Sequence, residues 1–185
     1  MCAAASSPPA ANPDRKSNAG ATPDPWEACA RLEYGGDRSP AWSVREELLA
    51  TPPEGWPAAE TRLLKSLARA DATAAGRAFL CQMLALVGSA QSVPALAALL
   101  KDVDAVESAR YALEAIPGAE ASAALREGIA AVSGSAKAGM IGSIAIRGDT
   151  SARYLLAGIK GNPSEPAIVR EAAGRALEHL ATAKA

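Results

Sequence analysis

The chain has 185 residues, a formal net charge of −1, 49% apolar residues and only 4% aromatic ones. That length suits one domain or a short repeat array, and the near-neutral charge excludes a strong nucleic-acid footprint. The alanine-rich, aromatic-poor mix favours closely packed helices over a β-sandwich. No run of about 18 apolar residues marks a membrane-spanning helix. No basic region followed by an apolar core marks a signal peptide.

Residues 1–23 are Ala, Ser, Pro, Asn and Gly with few large apolar groups, the composition of a disordered tail. Order is expected from Asp24. Asp24-Pro25-Trp26-Glu27 places an acid at the N-cap, proline at N1 and glutamate at N3, and predicts a helix to about Glu33 that stops at Gly35-Gly36. Ser39-Pro40 repeats the device and opens a helix to about Ala50. Pro57 opens a third, with Leu63, Leu64 and Leu67 as its apolar face. Asp71 is expected to cap the next, which carries Phe79, Leu80, Met83 and Leu84 and stops at Gly88. Pro94 falls in the first turn of the helix that follows, where proline is tolerated. Asp104-Ala105-Val106-Glu107 starts another, closed by Pro117-Gly118. Gly134-Ser135 and Gly148-Asp149 mark later breaks, and Ser164 is expected to cap a last helix through Ile168, Val169, Ala173, Leu177 and Leu180.

Much of this order is one unit written nearly three times. Gly88, Gly118 and Gly148 lie 30 residues apart, as do Ala85, Ala115 and Ala145, and Leu86, Ile116 and Ile146. Each glycine is expected in the left-handed conformation that ends a helix. Beyond each comes an apolar pair one turn apart: Leu96 and Leu100, Leu125 and Ile129, Leu155 and Ile159. A column of small residues (Ala78, Gln82, Ala85; Ser108, Ala112, Ala115; Ala138, Gly142, Ala145) lets neighbouring helices approach. The bulkier Met83, Leu86, Leu113, Ile116 and Ile146 are expected to fill the space beside it. Helix, glycine break, helix at this period predicts an all-α fold, an α-solenoid of about five antiparallel helix pairs. Residues 24–182 form it, 24–70 as degenerate N-terminal helices and 71–182 as regular repeats.

The segments VPALAALLKDVDAVESARYALEAI (93–116) and IVREAAGRALEHL (168–180) resemble HEAT repeats of the short bacterial phycobilisome-lyase-like type, over roughly residues 57–182. GRAFLCQMLALVGSAQSVPALAALL (76–100), ARYALEAIPG (109–118) and GMIGSIAIRGD (139–149) resemble, more narrowly, HEAT-repeat proteins of planctomycete and verrucomicrobial bacteria, which are often exported. The resemblance implies a superhelical interaction scaffold, binding another protein on its concave face. It carries over no catalytic residue, cofactor or metal ligand. An enzyme or enzyme subunit of the lyase-like class is the alternative it leaves open, and self-assembly through exposed terminal repeats is a third. Cys2, followed by small residues, is similar to the mature start of a bacterial lipoprotein, which would imply a lipid anchor and an envelope location; an ordinary tail cysteine is the other reading. The remaining cysteines, Cys29 and Cys81, form no C-x-x-C pair, and Cys81 reads as a small buried hydrophobe.

Other chemistries on this scaffold do not fit the residues. A di-iron hydroxylase of the HEAT type needs several His-Glu pairs, and the single histidine, His179, follows Glu178 instead. A DNA glycosylase needs a basic groove with aromatics, whereas Trp26, Trp42 and Trp56 all lie in the N-terminal helices and are expected to pack there. Arg147-Gly148-Asp149 spells an adhesion tripeptide, but its repeat position makes Gly148 a helix stop and Asp149 the next cap. The candidate partner site is a stripe on the second helices, one residue past each buried leucine and again four later: Ala97 and Lys101, Arg126 and Ala130, Leu156 and Lys160, with Arg153 and Tyr154 nearby. Its cations suit an acidic or mixed segment of a partner protein. Tyr111 and Arg110 are a second candidate, with packing the better expectation because first helices lie outside.

Overall fold

The computed structural model describes residues 24–182; the expected tail 1–23 and its Cys2 lie outside them. The described residues are all-helical, with ten α-helices, five short 3-10 turns and no strand among them. The helices are α1 (Pro25–Ala28), α2 (Ser39–Ala50), α3 (Trp56–Leu67), α4 (Ala74–Val87), α5 (Val93–Leu99), α6 (Val106–Ala115), α7 (Ala119–Gly128), α8 (Gly134–Ile146), α9 (Arg153–Gly161) and α10 (Ala167–Thr182). No helix among the described residues is long and apolar enough to cross a membrane.

Several helices begin where a different residue supplies the cap. Asp24 behaves as expected, its carboxylate accepting from the Trp26 N–H at 3.1 Å, but α1 gives way to a 3-10 turn at Cys29–Arg31 instead of running to Glu33. Asp71 does not cap α4. It is held by Arg69 and Arg31, and Thr73 Oγ1 accepts from the Gly76 N–H at 2.9 Å instead. Asp104 caps nothing either: the backbone carbonyl of Asp102 receives the N–H groups of Ala105 and Val106 ahead of α6. Ser164 sits in the preceding turn, donating its N–H to Asn162 Oδ1, and α10 starts three residues later. Asp71 thus has stronger partners of its own and leaves the cap to its neighbour.

Every second helix stacks on the next: α4 on α6, α6 on α8, and α8 on α10. Between them α5 packs on α6 and α7, and α9 packs on α10. The core is aliphatic and continuous, with Leu80, Leu84, Leu96, Leu113, Leu125, Ile141, Ile144 and Leu156 fully buried. At the N-terminal end α1, α2 and α3 are tied by a polar knot. Trp26 is buried and donates from Nε1 to Glu47 at 2.8 Å, while Arg62 lies 4.1 Å over its ring and pairs with Glu47 and Asp24. The other two tryptophans do not pack as expected: Trp56 is partly exposed and Trp42 is 69% exposed.

The repeat glycines differ in why they are glycine. Gly118 and Gly148 take positive φ (103° and 65°), but Gly88 is extended at φ −69°. Its constraint is space: a Cβ there would run into the Leu84 carbonyl and stand 2.9 Å from Ile116 Cδ1, so Gly88 lets the end of α6 close onto the end of α4. Ile116 is accordingly buried, whereas Leu86 and Ile146, in the same column, are exposed and fill no core space. The third apolar pair also shifts. Leu156 is buried with Ile159, and Leu155 faces out. Since Ile159 keeps its place, the pair changes from i, i+4 to i, i+3 spacing, and the centre of the buried face moves round α9 by about 50°.

Buried polar groups join successive units. Glu60 of α3 is 2% exposed and accepts from the Ser89 N–H and O–H and from the Ser92 O–H at 2.5–3.1 Å, which anchors the turn into α5. Arg126 of α7 pairs with Asp149, which in turn accepts from the Ser151 N–H at the turn into α9. Thus a second helix in one unit grips the start of the second helix two elements on. Arg147 reaches back from the end of α8 to the carbonyls of Leu113, Glu114, Ile116 and Gly118, with Nε donating to Ser122 Oγ at 2.9 Å. The tripeptide at 147–149 is therefore structural in all three positions. No buried side-chain nitrogen or oxygen among the described residues lacks a partner.

Candidate functional site

The site is set by small side chains on α5 and α7. Pro94 opens α5 within its first turn, and Leu96 and Leu100 anchor the segment in the core. Opposite, Ala121 and Leu125 anchor α7. Ala97 and Ala98 of α5, Ala124 and Gly128 of α7, and Ala131 in the 3-10 turn Ile129–Ala131 leave a crevice of about 300 Å³ between them, with Leu100 at its base. Gly128 is part of its shape, since a Cβ there would stand 2.6 Å from Leu100 Cδ1. Lys101 stands on one rim and Glu127 on the other. Past Lys101 and Ala131 the crevice continues into a second hollow of about 210 Å³ between the 101–106 and 131–136 segments. Val103, on that lip, is 87% exposed.

The electrostatics single out Lys101. Its neighbouring acid, Asp102, is engaged by Arg77 at 3.0 Å, and Lys101 forms no ion pair among the described residues. With the Lys101 ammonium on one rim and the Glu127 carboxylate on the other, the alanine-lined crevice suits an apolar group flanked by an anionic one on the Lys101 side.

The expected stripe does not form one surface. Lys101 is exposed at the crevice just described. Arg126 is committed to Asp149. Leu156 is core because of the slip in α9. Arg153 donates to the Leu180 carbonyl and pins α9 to the end of α10. Lys160 lies alongside Gly174 in a separate hollow with Arg170, Arg175, Glu171 and Glu178. Tyr154 is 93% exposed and lines neither hollow of the α5/α7 crevice. The second candidate divides as well: Arg110 is held by Glu107, Glu114 and Ser143 Oγ, as packing required, but Tyr111 is exposed. Of the crevice alanines only Ala97 stood in the expected stripe; Ala98, Ala124 and Ala131 were missed, since only the relative set of α5 and α7 opens a gap there.

Two other features bear on chemistry. Burial pushes the Cys29 and Cys81 thiols up to about 12, so both stay protonated and unreactive. No group of three or more His, Cys, Asp or Glu side chains among the described residues is placed to hold a metal ion. No family model, no curated protein and no solved structure matches the chain.

Proposed function

We propose that the chain is a protein-binding scaffold, a HEAT-like α-solenoid that takes an apolar side chain of a partner segment into the α5/α7 crevice. An acidic group of the same segment then meets Lys101. The single observation that carries this reading is the crevice itself: alanine-walled, based on Leu100, and rimmed by an unpaired lysine. The 30-residue recurrence, the stacking of α4, α6, α8 and α10, and the polar links between units support the solenoid part. Binding at such a site draws on buried apolar area for affinity and on the charge for orientation.

The test is a selection of peptides from a random display library on the full chain. Enriched peptides are then measured against Ala131→Trp, which fills the crevice, Lys101→Glu, which reverses the rim, and Ile146→Glu on a different face. The expected outcome is a shared apolar-plus-acidic motif whose binding falls at least about tenfold in the first two variants, roughly the effect of one lost anchor, and is unchanged in the third. Peptides that bind Ala131→Trp as well as the parent would remove the crevice from the argument.

A further inference from the structure

The exposed face of α2 is complementary to its own reverse, apolar at residues 42 and 49 and oppositely charged at 45 and 46. Ala41, Val44 and Leu48 are buried against the rest of the chain, and Trp42, Arg45, Glu46 and Leu49 line the opposite face. On a helix these four positions fall within one 100° arc. Trp42 and Leu49 are 69% and 63% exposed. Neither Arg45 nor Glu46 forms an ion pair among the described residues, whereas the next acid, Glu47, is engaged by Arg62 and Trp26.

We infer that this face binds a second copy of the same chain, α2 against α2, antiparallel about a two-fold axis between residues 45 and 46. That axis places Trp42 against the partner copy's Leu49 and Arg45 against the partner copy's Glu46, each contact occurring twice. An isologous interface requires this kind of self-complementarity. The apolar pair lies at the outer ends of the strip and the charges at its centre, so a parallel arrangement, which would set Arg45 on Arg45, is repelled. One helix pair covers less surface than a standard stable interface, so the association is weak and concentration-dependent.

Sedimentation equilibrium on the full chain tests it. The apparent mass is expected to rise from 18.8 kDa toward twice that value between about 1 μM and about 1 mM. Arg45→Glu and Glu46→Arg are each expected to weaken dimerisation about 30-fold, because each replaces two favourable contacts with two repulsive ones. An equimolar mixture of the two variants is expected to dimerise again, since every 45–46 contact then joins opposite charges. Circular dichroism of each variant checks that it is folded. Three results overturn the inference: a mass that stays at one chain throughout, a dimer that neither single variant weakens, or a mixture that stays monomeric. Acrylamide quenching that finds Trp42 shielded at concentrations where the chain is monomeric also overturns it, because the face would then be covered from within the same chain.

Discussion

Arg147 offers a direct measure of how much one side chain holds two units together. Its guanidinium faces the carbonyls of Leu113 and Glu114 at 2.8 and 2.9 Å, of Ile116 at 2.5 Å and of Gly118 at 2.7 Å. The first two belong to the last turn of α6, whose carbonyls have no partner within the helix, and a cation at that end also meets the negative pole of the helix dipole. Burial lowers its pKa, though the group stays charged at any working pH. Hydrogen bonds from a charged donor contribute about 1.5–3 kcal/mol each when buried, and water replaces part of that at a half-buried site, so Arg147→Ala is expected to cost about 2–4 kcal/mol. Lysine cannot span four carbonyls with a planar fork, so Arg147→Lys should recover less than half of the loss. Urea denaturation reads the effect as a midpoint lowered by about 1–2 M with the slope unchanged. Arg175→Ala, which breaks an exposed 3.8 Å pair with Glu171, serves as the control at under about 0.5 kcal/mol. A midpoint shift for Arg147→Ala no larger than that of the control would refute the capping role.

Glycine substitutions should separate crowding from propensity. Gly88→Ala is expected to destabilise by about 1–3 kcal/mol because its Cβ meets Leu84 and Ile116, and Gly142→Ala, with open space around it inside α8, should stabilise by about 0.5–1 kcal/mol; thermal melts of the pair decide it. With Cys2 replaced by Ser, a thiol reagent at pH 8 should modify no cysteine in the native chain and two in 6 M guanidinium, since Cys29 and Cys81 are buried; reaction of either thiol without unfolding would contradict the packing. The Asp71 carboxyl is lowered to about 2 by hydrogen bonding from Arg69. Its contribution to stability is therefore fully present above about 3.8, the unfolded value, and lost as pH falls through about 2. Carboxyl NMR of Arg69→Ala should find Asp71 raised toward 3.8 but still below it, because Arg31 still donates to it, and an unchanged low value would assign the shift elsewhere.

The helical character and most helix positions were legible because apolar spacing and proline placement act within one element. Leu63, Leu80, Leu96, Leu113 and Leu125 are buried as their periodicity required. Caps were less legible, since Asp71 and Asp104 carry the right chemistry but other groups compete for them or their position. The slip from Leu155 to Leu156 was invisible to a fixed 30-residue comparison, because helix rotation responds to what α10 packs against α9. Glu60 reads as an ordinary surface glutamate in α3; its burial depends on Ser89 and Ser92, 29 and 32 residues away. The residues of the candidate stripe are dispersed for the same reason. A cation's availability depends on groups distant in sequence: Asp149 occupies Arg126, and Arg77 holds Asp102, the acid next to Lys101.

The outward surface of α10 carries Arg170, Glu171, Arg175 and Glu178 around Gly174, with Val169, Ala173 and Leu180 turned inward. Desolvating that many charges against a flat neighbour opposes stacking. The α2 and α10 surfaces thus differ: α2 presents Trp42 and Leu49 about a matched charge couple, α10 side chains of both signs with Ile168 half exposed among them. If α2 pairs as inferred and the α10 surface resists stacking, the particle has a valence of one. Crowding it drives pairs to form and then stops, where two adhesive poles would polymerise into fibres. Each such pair would expose two α5/α7 crevices facing solvent, so a partner bearing two matching segments would gain by avidity where one bearing a single segment would not.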